Sequence, residues 1–178
     1  MLKRLLFGLQ GFRDATTMQN PTKAKAVMVR AEAGDVDAQR ICIDCYCEMS
    51  QMIPEIALQA LYAASNGGNA DADGLLAESF RRGEATGKPD AERSMVMNTR
   101  SMEGGSYVGA INLAEDYSRG ANTSEDYRRV LEYLRIAEDR LAVQVTSSEE
   151  NSRKLVRFAR KKLDHVKTFA IRQLEVRR

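Results

Sequence analysis

The segment GSYVGAINLAEDYSRG, residues 105–120, gives the strongest indication of the fold of this chain. Counted from Gly105, a small residue stands at position +4, a leucine at +8, an aromatic residue at +12 and a glycine at +15; these are Gly109, Leu113, Tyr117 and Gly120. Spacings of four residues keep side chains on one face of an α-helix. The segment therefore predicts an amphipathic helix that ends near its last glycine, because glycine readily adopts the left-handed conformation of a helix C-cap.

The same pattern occurs twice upstream, counted from Gly34 and from Gly68, at spacings of 34 and 37 residues. The +4, +8 and +12 positions hold Ala38, Cys42 and Tyr46 in the first unit, and Ala72, Leu76 and Phe80 in the second. We expect the three aromatic residues at +12 to occupy equivalent buried sites between neighbouring units.

A second helix is predicted in each unit. It starts at Pro54-Glu55, at Pro89-Asp90 and at Ser124-Glu125-Asp126, since proline or an acidic residue suits the first turn of a helix. Small residues then recur seven positions apart: Ala57 and Ala64, Ser94 and Ser101, and Val130 and Ala137. Small side chains at matched heights let two antiparallel helices pack closely, and one helical hairpin cannot bury its apolar face alone. The repeat thus predicts an all-α fold in which about three helical hairpins stack as a short α-solenoid.

Over roughly residues 31–140 the chain resembles the Sel-one-like repeat family, a relative of the tetratricopeptide repeat. The third unit carries most of the resemblance, through Gly109, Leu113, Ala114, Tyr117, Gly120, Asp126, Val130, Tyr133 and Ala137. The first unit departs from the family pattern at Cys42, Ile43 and Met49. The resemblance implies a right-handed superhelix that acts as a protein-binding scaffold without catalytic activity. In bacteria such proteins resemble regulators, secretion-linked chaperones or immunity proteins that neutralise a toxin.

Three regions are predicted along the chain. Residues 1–20 form an amphipathic helix or tail that docks as a cap, lies on a membrane surface, or is a frayed end; its apolar stripe is Leu2, Leu5, Leu6, Leu9 and Phe12. Residues 21–140 form the repeat array, beginning with a half-repeat that Asn20 caps. Residues 141–178 form a basic capping helix of about seven turns, opened by a capping box at Ser147 and Glu150. Its apolar stripe is Val156, Ala159, Leu163, Val166, Ala170 and Leu174.

Charge is segregated along the chain, although the net charge is only +2. Residues 1–30 carry net +5 and residues 151–178 carry net +8, which leaves −11 for residues 31–150. The basic side of the C-terminal helix is either a solvated cap surface or a contact for nucleic acid or another acidic surface. The residues that would make this contact are Arg153, Arg157, Arg160, Lys161 and Lys167. Nucleic acid is the less favoured partner, because the helix lacks the interleaved aromatic residues of single-strand binders.

An acidic residue stands at position +10 of each unit: Asp44, Glu78 and Glu115. This position lies opposite the buried stripe, so stacked units would align the three carboxylates along one surface. Three interpretations stay open. The acidic strip recognises a basic segment of a protein partner, it is a solvated face, or it pairs with the basic C-terminal helix of the same chain or of a second copy.

Few residues are suited to catalysis or metal binding. Cys42, Cys45 and Cys47 lack a second ligand pair at metal-site spacing, and His165 is the only histidine. We therefore predict no enzyme activity, no metal and no cofactor. Three clustered cysteines do not form a disulfide framework, and no apolar run is long enough to span a bilayer. Reduced thiols and a cytoplasmic location are the corresponding expectation.

Overall fold

The computed structural model describes residues 17–147 and 150–177, with side chains described for 17–143 and 159–177. The described residues form eight α-helices and no strand, so the all-α prediction is confirmed over these ranges. The helices are α1 (Pro21–Glu32), α2 (Val36–Met49), α3 (Pro54–Asn66), α4 (Ala70–Arg82), α5 (Ala91–Glu103), α6 (Tyr107–Gly120), α7 (Ser124–Ser147) and α8 (Glu150–Val176). The predicted apolar stripe within residues 1–12 lies outside the described residues. Residues 148 and 149, between Ser147 and Glu150 of the predicted capping box, also lie outside them.

The three glycines at which the units begin share one backbone conformation. Gly34, Gly68 and Gly105 have φ angles of 88°, 87° and 94°, a left-handed conformation that favours glycine. In each unit the next residue caps the helix that follows: the side chains of Asp35, Asn69 and Ser106 accept hydrogen bonds from the backbone N–H groups of Ala38, Ala72 and Val108. The same turn thus connects α1 to α2, α3 to α4 and α5 to α6.

The helix ends at Asn20 and Gly83 agree with the sequence, whereas the end at Gly120 differs. Asn20 caps α1 by accepting from Thr22 N and Lys23 N, and Gly83 ends α4 in the left-handed conformation, with φ of 79°. The expectation of a left-handed cap at Gly120 is wrong, because α6 continues through Gly120 and leaves the helix at Ala121 in an extended conformation. The Nδ2 group of Asn122 donates to the Gly120 carbonyl at 3.0 Å. A side chain therefore satisfies a carbonyl at this helix end, where a glycine turn would otherwise do so.

The core contains the positions that the repeat predicted. The +4 and +8 residues are buried in all three units, namely Ala38, Ala72, Gly109, Cys42, Leu76 and Leu113. The small residues of the second helices are also buried, namely Ala57, Ala64, Ser94, Ser101, Val130 and Ala137. Close packing is strict at Gly109, where an added Cβ would lie 2.5 Å from the Asn98 carbonyl oxygen. The pattern of small residues in the sequence therefore marks helix contacts.

The expectation of equivalent buried sites for the +12 aromatic residues is wrong. Phe80 is buried with 5% of its surface exposed, Tyr46 is half-buried, and Tyr117 is 36% exposed. The ring of Tyr62 lies edge-on to Phe80, at 6.4 Å between centroids. Tyr117 instead stacks on Tyr133 of α7 at 5.3 Å. The exposure of each aromatic ring depends on which residue the preceding hairpin places against it. The sequence of a single unit does not contain that residue.

The long C-terminal helix α8 packs against α6 and α7, just as α6 packs against α4 and α5. The contact buries Ala159, Leu163, Val166 and Ala170, four residues of the predicted stripe. Burial of an aliphatic side chain contributes about 1.5–3 kcal/mol, so this stripe, more than any ion pair, holds α8 in place.

Candidate functional site

The carboxylates at position +10 lie at the same level of three helices: Asp44 on α2, Glu78 on α4 and Glu115 on α6. Their side chains are 17%, 18% and 23% exposed. The prediction that they face away from the core holds only in part, since neighbouring side chains cover most of each carboxylate. We call these three residues the acidic strip.

Each carboxylate of the acidic strip has an arginine neighbour on its own helix. Arg40 Nη1 lies 3.8 Å from Asp44 Oδ2, and Arg119 Nη2 lies 2.7 Å from Glu115 Oε1. Glu78 accepts hydrogen bonds from Arg81 Nε at 2.9 Å and from Arg82 Nε at 2.8 Å. Residues three and four apart are neighbours on a helix surface, so the sequence held the signal for these pairs. These arginines were not predicted, and the strip was expected to carry uncompensated negative charge.

The C-terminal helix reaches the acidic strip through Lys162, which was not among the predicted contact residues. Lys162 Nζ lies 2.5 Å from Glu115 Oε2 and donates to Asn112 Oδ1 at 2.9 Å. The interpretation in which this chain's own basic helix pairs with the strip therefore applies at Glu115. Glu78, in contrast, forms its ion pairs with Arg81 and Arg82 of its own helix.

A buried amide network fixes Lys162 in this position. Asn112 Nδ2 donates to the Gly74 carbonyl at 3.1 Å and to Asn98 Oδ1 at 3.0 Å, and Asn98 Nδ2 donates to Asp116 Oδ2 at 3.3 Å. Both amides are buried, and buried polar groups need such partners. The network joins α4, α5, α6 and α8, and through Lys162 it positions Glu115 at one end of the acidic strip.

The carboxyl groups of this region have shifted pKa values in opposite directions. Burial by itself raises the pKa of Glu78, but the hydrogen bond from Arg81 and the positive charges of Lys162 and Arg82 outweigh burial and hold that pKa below its usual value. For Asp116 burial dominates over the nearby Arg119 and raises the pKa. Glu78 is thus an ion-paired carboxylate, whereas Asp116 is one whose charge is only partly compensated.

The predicted basic contacts divide into three groups. Arg160 and Lys161 are exposed. Lys167 is engaged within the molecule, since its Nζ lies 2.6 Å from Glu138 Oε1 on α7. The side chains of Arg153 and Arg157 lie outside the described residues.

The cysteines are free and have raised pKa values. Cys42 and Cys45 are fully buried, and burial raises their pKa values to about 12 and about 11. Cys47 is exposed at the surface, yet partial desolvation, followed by the charges of Asp44 and Glu48, raises its pKa to about 11. In the part of the chain that the structure describes, no group of three or more His, Cys, Asp or Glu side chains is placed to hold a metal ion.

An open cleft of about 420 Å³ lies beside the turn between α5 and α6. It is lined by Asn69, Asp71, Gly105, Ser106, Arg140 and Val143, among others. Ser106 Oγ donates to Asp71 Oδ1 at 2.5 Å, and Arg140 Nη1 donates to the Ser106 carbonyl at 3.1 Å. The polar groups of the cleft therefore bond to one another, an arrangement that stabilises the turn. None of the helices in the described ranges is both long and apolar enough to cross a bilayer.

Comparison of the chain with models of protein families, with curated proteins and with solved structures finds no match.

Proposed function

We propose that this protein is a non-catalytic protein–protein interaction scaffold of the Sel-one-like type. In this proposal the helices form a right-handed α-solenoid of about three hairpin repeats, and α8 caps its C-terminal end. The repeated glycine turn and the equivalent buried +4 and +8 positions support the repeat. The packing of α8 on α6 and α7 supports its role as a cap, because it occupies the place that the first helix of a further hairpin would take.

The observation that carries the proposal is the acidic strip. Three carboxylates stand on successive first helices, at the same level and with nearly the same exposure. Such a row presents hydrogen-bond acceptors at regular intervals to a segment that crosses the helices. A protein partner with a basic segment matches this row.

The arginines that pair with the strip do not prevent this binding. Arg82 and Arg119 are about half exposed, at 58% and 49% of their side-chain surface. Because these two guanidinium groups remain in contact with water, their ion pairs contribute modestly, on the order of 1 kcal/mol, and a partner's Lys or Arg can replace Arg82 and Arg119. The strip would therefore select and orient a partner more than it would add affinity. Regulator, secretion chaperone and toxin-neutralising immunity protein are the roles that this proposal includes, in a bacterial cytoplasm.

The test is binding by a strip variant in which the charges are removed but not reversed. Lysine at position 78 or 115 would lie beside Arg81 or Arg119 and would destabilise the helix through like-charge repulsion, so we choose Asp44→Asn, Glu78→Gln and Glu115→Gln together. The matched control neutralises three exposed first-turn acids of the second helices, Glu55, Glu92 and Glu125.

The tagged wild-type protein should capture a stoichiometric protein partner from lysate of its native host, and mass spectrometry should identify a basic segment in that partner. Peptides from this segment should bind the wild type and the control variant in calorimetry. Binding should be lost in the strip variant. Recovery of no partner, or equal binding by the strip variant, contradicts the proposal.

A second candidate function is binding of nucleic acid or another acidic surface through α8. It is favoured by the exposed side chains of Arg160, Lys161 and Arg172. Because phosphate contacts release counterions, the logarithm of the affinity should fall linearly with the logarithm of the salt concentration. A titration with single-stranded and double-stranded oligonucleotides that stays flat at low salt contradicts this function.

A further inference from the structure

Two neighbouring grooves between hairpins can be compared directly. In the first groove, between α3 and α4, the ring of Tyr62 lies edge-on to Phe80 with an interplanar angle of 75°. The guanidinium group of Arg93, at the start of α5, lies 5.8 Å from the centre of the same ring. Phe80 is therefore covered by an aromatic ring on one side and by a cation on another.

The second groove, between α5 and α6, has equivalent positions that hold partly different residues. Tyr117 stands at the position of Phe80, since both are the +12 residue of their unit. Arg129 stands at the position of Arg93, because Arg93 directly precedes the buried Ser94 and Arg129 directly precedes the buried Val130. Tyr62 lies five residues after Ala57. The residue five positions after Ser94, at the equivalent place in the second groove, is Thr99.

Helix contacts place Thr99 and Tyr117 at the same level. The residues that precede them, Asn98 and Asp116, are joined by a hydrogen bond of 3.3 Å. Thr99 Oγ1 donates to the Met95 carbonyl one turn earlier at 3.0 Å, so its hydroxyl is turned back to its own helix. Threonine is much smaller than tyrosine, and this explains why Tyr117 is exposed where Phe80 is buried.

The exposed edge of this groove is apolar. Met95 is 37% exposed, whereas Leu58, its counterpart in the first groove, is packed against the core. Tyr117 and Tyr133 present a stacked pair of rings on the other side. We call Met95, Thr99, Tyr117 and Tyr133 the aromatic slot.

We propose that the aromatic slot receives an aromatic side chain of a protein partner, in the place that Tyr62 occupies in the first groove. The chain itself shows which occupant fits, because an aromatic ring fills the equivalent groove one repeat earlier. The inference rests on the proposed scaffold function and adds to it the chemistry of the partner segment. Since Glu115 and Asp116 directly precede Tyr117 in sequence, that segment carries an aromatic residue close to a basic one.

The first experiment uses N-acetyl-tyrosinamide as the probe and NMR of labelled methionine methyl groups and of labelled tyrosine and phenylalanine rings as the readout. In the wild type the probe should shift the signals of Met95, Tyr117 and Tyr133, and leave Phe80 unchanged. The variant Thr99→Phe supplies a ring from within the chain, so these shifts should disappear. The variant Thr99→Val keeps the slot open and is the matched control, and it should respond like the wild type.

A second readout does not need a ligand. Tetranitromethane should nitrate Tyr117 in the wild type and in Thr99→Val, and nitrate it several-fold more slowly in Thr99→Phe, as measured by mass spectrometry. The reciprocal variant Tyr62→Thr opens the first groove, and the probe should then shift the signals of Phe80. This variant keeps the inference testable if Thr99→Phe does not fold.

The results of these experiments distinguish the proposal for the aromatic slot from the proposal for the acidic strip. Probe shifts that survive in Thr99→Phe, or equal nitration of Tyr117 in both Thr99 variants, overturn the aromatic slot. If a captured partner is lost in the strip variant but retained in Thr99→Phe, the scaffold function stands and the slot proposal fails. If the strip variant keeps the partner and Thr99→Phe loses it, the slot stands and the acidic strip fails.

Discussion

Lys162 Nζ on α8 lies 2.5 Å from Glu115 Oε2 on α6, and this ion pair ties the C-terminal helix to the acidic strip. The same ammonium group donates to Asn112, a buried amide that also bonds to α4 and α5. One side chain of α8 therefore takes part in positioning a carboxylate that we assign to partner binding.

Replacing Lys162 by methionine should lower the free energy of unfolding by about 1–3 kcal/mol, because the buried Oδ1 atom of Asn112 loses its charged donor. Urea denaturation monitored by circular dichroism measures the change. Lys161→Met at the exposed neighbouring position is the control, with a change within about 0.5 kcal/mol. Equal stability of the two variants would show that the Lys162 contacts contribute nothing.

The lowered pKa of Glu78 predicts a pH-dependent contribution to stability. A carboxyl whose folded-state pKa lies below its unfolded value stabilises the fold above the unfolded pKa, and this stabilisation is lost as the pH falls through the folded pKa. Glu78→Gln should therefore be less stable than the wild type at neutral pH, and the difference should disappear in acid. Denaturation midpoints across that pH series measure it. A stability difference between Glu78→Gln and the wild type that is constant with pH, or that grows in acid, contradicts the ion-paired state of Glu78. The control variant is Glu125→Gln, on the exposed first turn of α7.

Gly109 is predicted to tolerate no side chain. A Cβ at this position would lie 2.5 Å from the Asn98 carbonyl oxygen and 2.6 Å from Ser101 Cβ. Gly109→Ala should therefore destabilise the protein by about 1–3 kcal/mol, as overpacking usually does. In contrast, Gly120→Ala meets open space at the end of α6, and should be neutral or stabilise by up to about 1 kcal/mol. Thermal unfolding of both variants checks the pair, and the reverse order of stability would refute the close approach of α5 and α6.

The three thiols should differ in reactivity towards Ellman's reagent. In the native protein only Cys47 should react, slowly at neutral pH and faster as the pH approaches its pKa of about 11, because the thiolate is the reactive form. Cys42 and Cys45 should react only after denaturation, since both are fully buried. Cys47→Ser should remove the native reaction. Two or three equivalents of reactive thiol in the folded wild type would contradict the burial of α2.

The parts of the fold that local sequence determines could be predicted. Gly34, Gly68 and Gly105 mark their turns because a left-handed residue between two helices needs glycine. Asn20 could be identified as a cap because its side chain reaches the N–H groups of the next residues. The small residues of the second helices could be identified because their spacing places them on one face.

The features that depend on a second helix could not be predicted from one unit. The exposure of Tyr117 follows from Thr99 in the preceding hairpin. The ion pair between Lys162 and Glu115 joins residues 47 positions apart in sequence. Of the partners of the acidic strip, only the arginines could have been predicted from the sequence, because each lies three or four residues from its carboxylate.

The identical turns at Gly34, Gly68 and Gly105 have a consequence for how this molecule can change in length. A stretch such as residues 69–105 starts and finishes on the same backbone geometry, so a tandem copy of it would keep the glycine turn at both junctions. Growth by whole modules would leave both ends of the molecule intact, and each added copy would lengthen the acidic strip by one carboxylate.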